Sequence, residues 1–143
     1  SLLLSPDGAQ AAPLGPGLAD LEYLAEEVTK AGLPVATSVT GRPLPLTADL
    51  DAVAYRVVHE ALMAVLGGTR NATADVFVRY EPDLLEIEVV DDGEALGEGS
   101  QDTAELEAVR REVAALGGTL DAGPRAERGY RVLAQVPYEP DWS

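Results

Sequence analysis

The sequence predicts a two-layer α/β sandwich, in which a mixed, largely antiparallel sheet carries three helices on one face. Three observations lead there. Apolar residues recur at helical spacing in three separate stretches. Several short runs have the β-branched content or strict alternation of strands. Their order along the chain is helix, strand, helix, hairpin, helix, then strand or strands, which suits helices gathered on one side of a sheet rather than a regular parallel repeat.

The first helix is expected from Leu18 to Ala31, where Leu18, Leu21, Leu24, Ala25 and Val28 share a face and Gly32 with Pro34 ends the run. Residues 35–41, "VATSVTG", are rich in β-branched residues and read as a strand, followed by the extended "RPLPL". Thr47 or Asp49 caps a second helix from about Ala48 to Leu66, with Val53, Val57, Ala61 and Val65 on its inner face. Gly67 and Gly68 follow, and since glycine costs a helix about 1 kcal/mol relative to alanine, early fraying is expected there. "ADVFVRY" and "LLEIEVV" form an antiparallel hairpin across the short link "EPD". Glu86 and Glu88 alternate with Leu85, Ile87 and Val89, as a sheet with one covered and one wet face requires. The acidic, glycine-rich residues 93–101 suggest a mobile segment. A third helix is expected over Asp102–Leu116, closed by Gly117 and Gly118, and "GYRVLAQVP" is the final strand.

These elements make one domain, residues 17–138, with 1–16 a linker or the tail of a preceding helical hairpin and 139–143 a C-terminal tail. The absence of cysteine excludes disulfides and thiolate metal sites, and the single His59 excludes a histidine cluster. No apolar run approaches the ~20 residues that span a bilayer, so no direct membrane contact and a cytoplasmic location are expected. The net charge of −15, from 25 acidic and 10 basic residues, repels phosphate backbones, so no nucleic-acid partner is expected.

Two places invite chemistry. The alternation Leu85, Ile87, Val89 carries Asp91 to the inward side as the strand ends, while Asp92 points outward and Gly93 turns the chain without a side chain. An inward carboxylate is costly without a partner, yet Asp-Asp-Gly also suits a simple polar turn; residue pattern alone leaves both readings open. Glu60 shares the helical face of Val53 and Val57, whereas His59 is turned towards the boundary. Here too a solvated or paired surface acid is an open alternative.

As an ordered set, "PLGPGLADLEYLAEEVTKAGLPV", "YRVVHEAL", "VVDDG", "RREVAALGGTLDAGP" and "GYRVLAQVP" resemble the ATP-binding catalytic domain of two-component sensor histidine kinases, most nearly the nitrate-sensor-like subgroup. That domain has the Bergerat (GHKL) fold, shared with gyrase and the MutL-type ATPases, and the resemblance runs from Leu14 to Pro137. It implies that Asp91 accepts a hydrogen bond from the adenine amino group, that Gly93 is the first tight-turn glycine, and that Glu60 polarises a water near Mg²⁺ and the phosphates. ATP with Mg²⁺ is the cofactor implied, and a response regulator, a kinase-like chain or a second copy the partner.

The departures fall on the phosphate end. The family's Mg²⁺-binding Asn, four residues after the acid, is Ala64 here, which offers no oxygen to a cation that demands them, so no metal ligand is expected. Ala95 replaces the second glycine of the first box, and "TAEL", Thr103–Leu106, replaces a G-x-G-L phosphate cradle, with Gly97–Gly99 a displaced remnant at most. Acids Asp91, Asp92, Glu94, Glu98, Asp102, Glu105 and Glu107 precede the next base, Arg110. Each like-charge contact with a polyphosphate at ~4 Å costs on the order of 1 kcal/mol even in water. Tyr130 on the last strand either fills part of the base pocket or packs in the core. The expectation is therefore a degenerate domain with weak or absent ATP turnover that acts as a regulatory or protein-binding module. The alternatives are an active kinase domain that phosphorylates a histidine elsewhere, and an ATP-independent dimerisation module.

Overall fold

The computed structural model describes residues 15–139. Most of the expected N-terminal linker, residues 1–14, and most of the C-terminal tail, residues 140–143, lie outside the described residues. A 3-10 turn, Leu18–Asp20, leads into α1, Leu21–Lys30. The Leu18 amide donates to Asp51 Oδ1 at 3.0 Å, which ties the chain's entry to the next helix. At the end of α1, Gly32 takes a φ of 119°, and the Gly32 and Leu33 amides donate back to the Thr29 and Val28 carbonyls. This paired closure is the reason for a glycine there.

The remaining elements are β1 (Val35–Gly41), α2 (Ala48–Gly68), β2 (Thr69–Arg70), β3 (Ala74–Tyr80), β4 (Leu84–Asp91), β5 (Glu94–Ala95), α3 (Ala104–Ala115), β6 (Thr119–Pro124) and β7 (Tyr130–Pro137). A five-stranded sheet runs in the order β1-β3-β4-β7-β6. Its neighbours are antiparallel except β1 and β3, which are parallel. A parallel pair needs a long crossover, and α2 supplies it. The two-layer sandwich with three helices over a mixed sheet is thus the observed architecture.

The core lies between the layers. Leu62 of α2 and Leu85 and Ile87 of β4 are wholly buried, joined by Val57, Val113 and Ala134. Each large aliphatic chain so placed contributes about 1.5–3 kcal/mol relative to exposure. The opposite face is wet, as the glutamates predict. Arg79 bridges Glu86 and Glu88 at 2.7 Å each, Gln135 Nε2 donates to Glu86 Oε1 at 2.8 Å, and Arg131 pairs with Glu88. Burial pushes the Glu88 carboxyl up, but hydrogen bonds from Arg131 and Arg79 outweigh it and hold the group below its ordinary value.

Two expectations need correction. First, α2 does not fray at its glycines but continues through Gly68, which is buried. Second, α3 is shorter than 102–116, because Thr103 is its cap: Thr103 Oγ1 accepts from the Leu106 amide at 3.0 Å. The closing part of the chain, left open as one strand or more, is two: residues 119–124 form β6 as an edge strand despite Gly123 and Pro124, held on one side only by its pairing with β7. At the start of the segment 93–101, Glu94 and Ala95 of β5 pair with Arg70 and Thr69 of β2.

Candidate functional site

Strand parity delivers Asp91 to the place expected of it, only 2% exposed on the inward side of β4. Its carboxylate is engaged at both oxygens by the chain itself. Oδ1 accepts from the Gly93 amide at 2.8 Å and Oδ2 accepts from Gln101 Nε2 at 2.9 Å. Gly93 sits where no side chain fits, since a Cβ would fall 2.7 Å from the Ala72 methyl and 2.9 Å from Thr69. Asp92 points outward and accepts from the Thr73 amide at 2.6 Å and the Thr73 hydroxyl at 3.0 Å. The Thr73 amide, followed by its hydroxyl, holds the Asp92 carboxyl below the ordinary aspartate value.

The loop between β6 and β7 folds onto the end of β4. Arg125 Nη1 donates to the Asp91 carbonyl and Arg128 Nε to the Asp92 carbonyl, both at 2.8 Å. Gly129, with a φ of 96°, allows this approach, as a Cβ would lie 2.0 Å from the Asp91 carbonyl oxygen. Neither arginine lines the cavity beside Asp91.

That cavity, about 370 Å³, is bounded by Gly93, Ala95, the segment from Gly97 to Asp102, Pro124, Gly129 and Tyr130. Its charged lining residues are Glu98 and Asp102. Tyr130 stands at its wall, half-buried, with its hydroxyl donating to Asp102 Oδ1. Burial, then the hydrogen bond to Asp102, push the Tyr130 phenol up to about 12, so it remains a neutral donor throughout the physiological range. Tyr130 thus packs against the core with its hydroxyl at the rim, and its ring forms part of the cavity wall.

The structure brings Asp91, Gly93, Ala95 and Tyr130 together and leaves Glu60 apart. Glu60 lies on α2 with its carboxylate 3.0 Å from His59 Nδ1, and it does not line the cavity. The His59 ring stacks on Tyr55, centroids 6.0 Å apart. Ala64 is buried at 4% exposure and serves the packing of α2. "TAEL" is a helix start, with Glu105 and Glu107 in its first turn, where the positive end of the helix dipole already meets negative charge. Among the described residues, no group of three or more His, Asp or Glu is arranged as a metal site. No described helix is long and apolar enough to cross a membrane.

Sequence reasoning misses Gln101, Arg125 and Arg128. The arginines are distant in sequence from the carbonyls they grip, and no local pattern announces such a contact. Gln101 had a signal: an inward carboxylate needs a donor, and Gln101 carries the only side-chain amide between Asp91 and Thr103.

The architecture is that of histidine-kinase catalytic domains. The catalytic domain of histidine kinase ThkA, in a nucleotide-free form, superposes with a TM-score of 0.63 at 15% identity, over 87% of this chain and 96% of that one. The histidine kinase domain of the Erythrobacter litoralis EL346 blue-light activated histidine kinase gives a TM-score of 0.69 at 19% identity, over 92% and 66%. Full-length ShkA in complex with AMPPNP gives 0.62 at 19% identity; it is matched over 91% of this chain but only 33% of its own length. No protein-family model matches the sequence, and no curated protein does. The shared property is therefore the fold, with the structural elements in the order the resemblance anticipates.

Proposed function

We propose that this chain is a histidine-kinase-fold domain that has lost phosphoryl transfer and works as a regulatory, protein-binding module of a two-component system. The observation that carries this reading is the lining of the cavity beside Asp91: two acids, Glu98 and Asp102, and no lysine or arginine. A triphosphate with Mg²⁺ does not fit such a lining. Phosphoryl transfer rests on positioning and charge neutralisation, and here the charges have the wrong sign. Ala64 offers no oxygen at the position where the resemblance puts the Mg²⁺ ligand, and Glu60 does not line the cavity. The retained fold and the acidic composition favour a partner with a basic face, of which a response regulator or another kinase chain is the kind implied by the resemblance. Self-association as a dimerisation module is the form this reading takes if the partner is a second copy.

One observation favours the second reading, an active kinase domain. ShkA, on the same fold, is a complex with the ATP analogue AMPPNP, and Asp91 and Gly93 hold a strand-end geometry that the adenine-binding role would use. Turnover separates the two. The degenerate reading predicts no ATP hydrolysis or phosphoryl transfer above background by the wild-type domain, even when mixed with an isolated histidine-bearing dimerisation domain. It also predicts none by Ala64→Asn, because restoring one ligand leaves the acidic lining untouched. Turnover by the wild type would establish the active kinase, and turnover by the single variant would show that the metal ligand alone was missing.

A further inference from the structure

Among the described residues, Asp91 and Gln101 are the two buried polar side chains, at 2% and 4% exposure, and they are bonded to each other. Asp91 is held in the strand, and Gln101 comes from a segment that is pinned at both ends. On one side, the Leu96 amide and the Ser100 hydroxyl both donate to the Gly68 carbonyl, at 2.9 and 2.8 Å. Gly68 permits that contact, because a Cβ would stand 2.6 Å from the Ser100 carbonyl oxygen. On the other side, Asp102 accepts from the Tyr130 hydroxyl, and Thr103 caps α3. Between these pins, Gln101 turns its head group inward.

We propose that residues 96–102 are a strap that keeps the Asp91 site closed from within, with Gln101 acting as an intramolecular ligand for the carboxylate. The primary amide presents an N–H₂ donor to Asp91 Oδ2, the same type of donor that an amino-bearing heterocycle would present. The two compete for one oxygen. A neutral ligand of that class therefore reaches Asp91 only in the fraction of molecules whose strap has lifted, and its apparent affinity falls by that fraction. Removing the Gln101 amide abolishes the competition, leaving Asp91 Oδ1 on the Gly93 amide and Oδ2 without its side-chain donor. The inference rests on the proposed function only in taking the ligand to be uncharged, since Glu98 and Asp102 line the route.

Calorimetric titration with adenosine of the wild type, Gln101→Ala and Ser100→Ala, alongside amide hydrogen exchange over residues 94–103, tests the strap. Ser100→Ala removes the strap's hydroxyl bond to the Gly68 carbonyl, so the test does not depend on the buried variant alone. The expected result is adenosine binding at least about tenfold tighter in Gln101→Ala than in the wild type, equivalent to ~1.4 kcal/mol. Exchange over 94–103 rises in the same variant while that of α2 is unchanged, and Ser100→Ala shifts both quantities the same way by less. Equal adenosine affinity in all three proteins, no binding in any, or unchanged exchange over 94–103 would each overturn it. Mg²⁺-dependent turnover of ATP by the wild type would instead defeat the proposed function, and the ratio of adenosine affinities would still report on the strap.

Discussion

At the scale of single residues, the end of β4 shows how two adjacent carboxylates acquire different roles from strand parity. Asp91 is turned in and finds Gln101; Asp92 is turned out and finds Thr73. The alternation of Leu85, Ile87 and Val89 makes the inward turn of Asp91 legible in the sequence, because a side-chain period of two has no freedom to drift within a short strand. Its partner is legible only as the one nearby side-chain amide, Gln101, because a loop residue has no period to say that it turns inward. The Asp92 pair makes a pH prediction. Its carboxyl is depressed below 3.8, so the folded state prefers the ionised form; the stabilisation is fully present above that pH and is lost as pH falls through the lowered value. Asp92→Asn should therefore be less stable than the wild type at neutral pH. The difference should narrow as pH drops below 3.8 in urea unfolding monitored by circular dichroism. Asp92 is exposed, so the effect is modest, a few tenths of a kcal/mol to about 1 kcal/mol. A gap that stays constant down to acid pH would show that the Thr73 bonds do not depend on charge.

At the scale of elements, helices α1 and α2, the hairpin of β3 and β4, and β7 are readable from periodicity and caps; of the two caps that the sequence offers for α2, Thr47 and Asp49, the structure uses Thr47, whose hydroxyl oxygen accepts from the Leu50 amide. What escapes such reading is β6, whose "TLDAGP" lacks strand composition and is held only by its pairing with β7, and the end of α2. Local propensity says that Gly67 and Gly68 weaken a helix; tertiary contact says that one of them is needed. The two glycines should then respond oppositely to the same substitution. Gly67→Ala meets nothing within 4 Å and should stabilise the domain by about 0.5–1 kcal/mol. Gly68→Ala pushes on the Ser100 carbonyl at 2.6 Å and should destabilise it by about 1–3 kcal/mol. Chemical unfolding midpoints of the two variants check this directly, and equal shifts in one direction would mean that helix propensity alone governs this turn.

At the scale of the whole molecule, fold and charge point in different directions. The sandwich is that of histidine-kinase catalytic domains, built on an apolar layer between the helices and the sheet. The net charge of −15 and the acids lining the Asp91 cavity oppose the triphosphate that such domains are built around by resemblance. The packing positions carry the elements by themselves: Ala64 is buried in α2 with no polar group to satisfy, and Thr103 starts α3 by capping it with its hydroxyl. Sequence order reveals the fold because the packing pattern is periodic, and it reveals the departures because those positions are fixed within the motifs. It does not show that the chain satisfies Asp91 itself, which only the folded path of residues 96–102 makes visible. The proposed loss of Mg²⁺–ATP binding is checked most directly by calorimetry of the purified domain against ATP, with and without Mg²⁺. The acidic lining should give no saturable binding of ATP below millimolar concentration and no gain from Mg²⁺; micromolar binding that requires Mg²⁺ would overturn the proposed function.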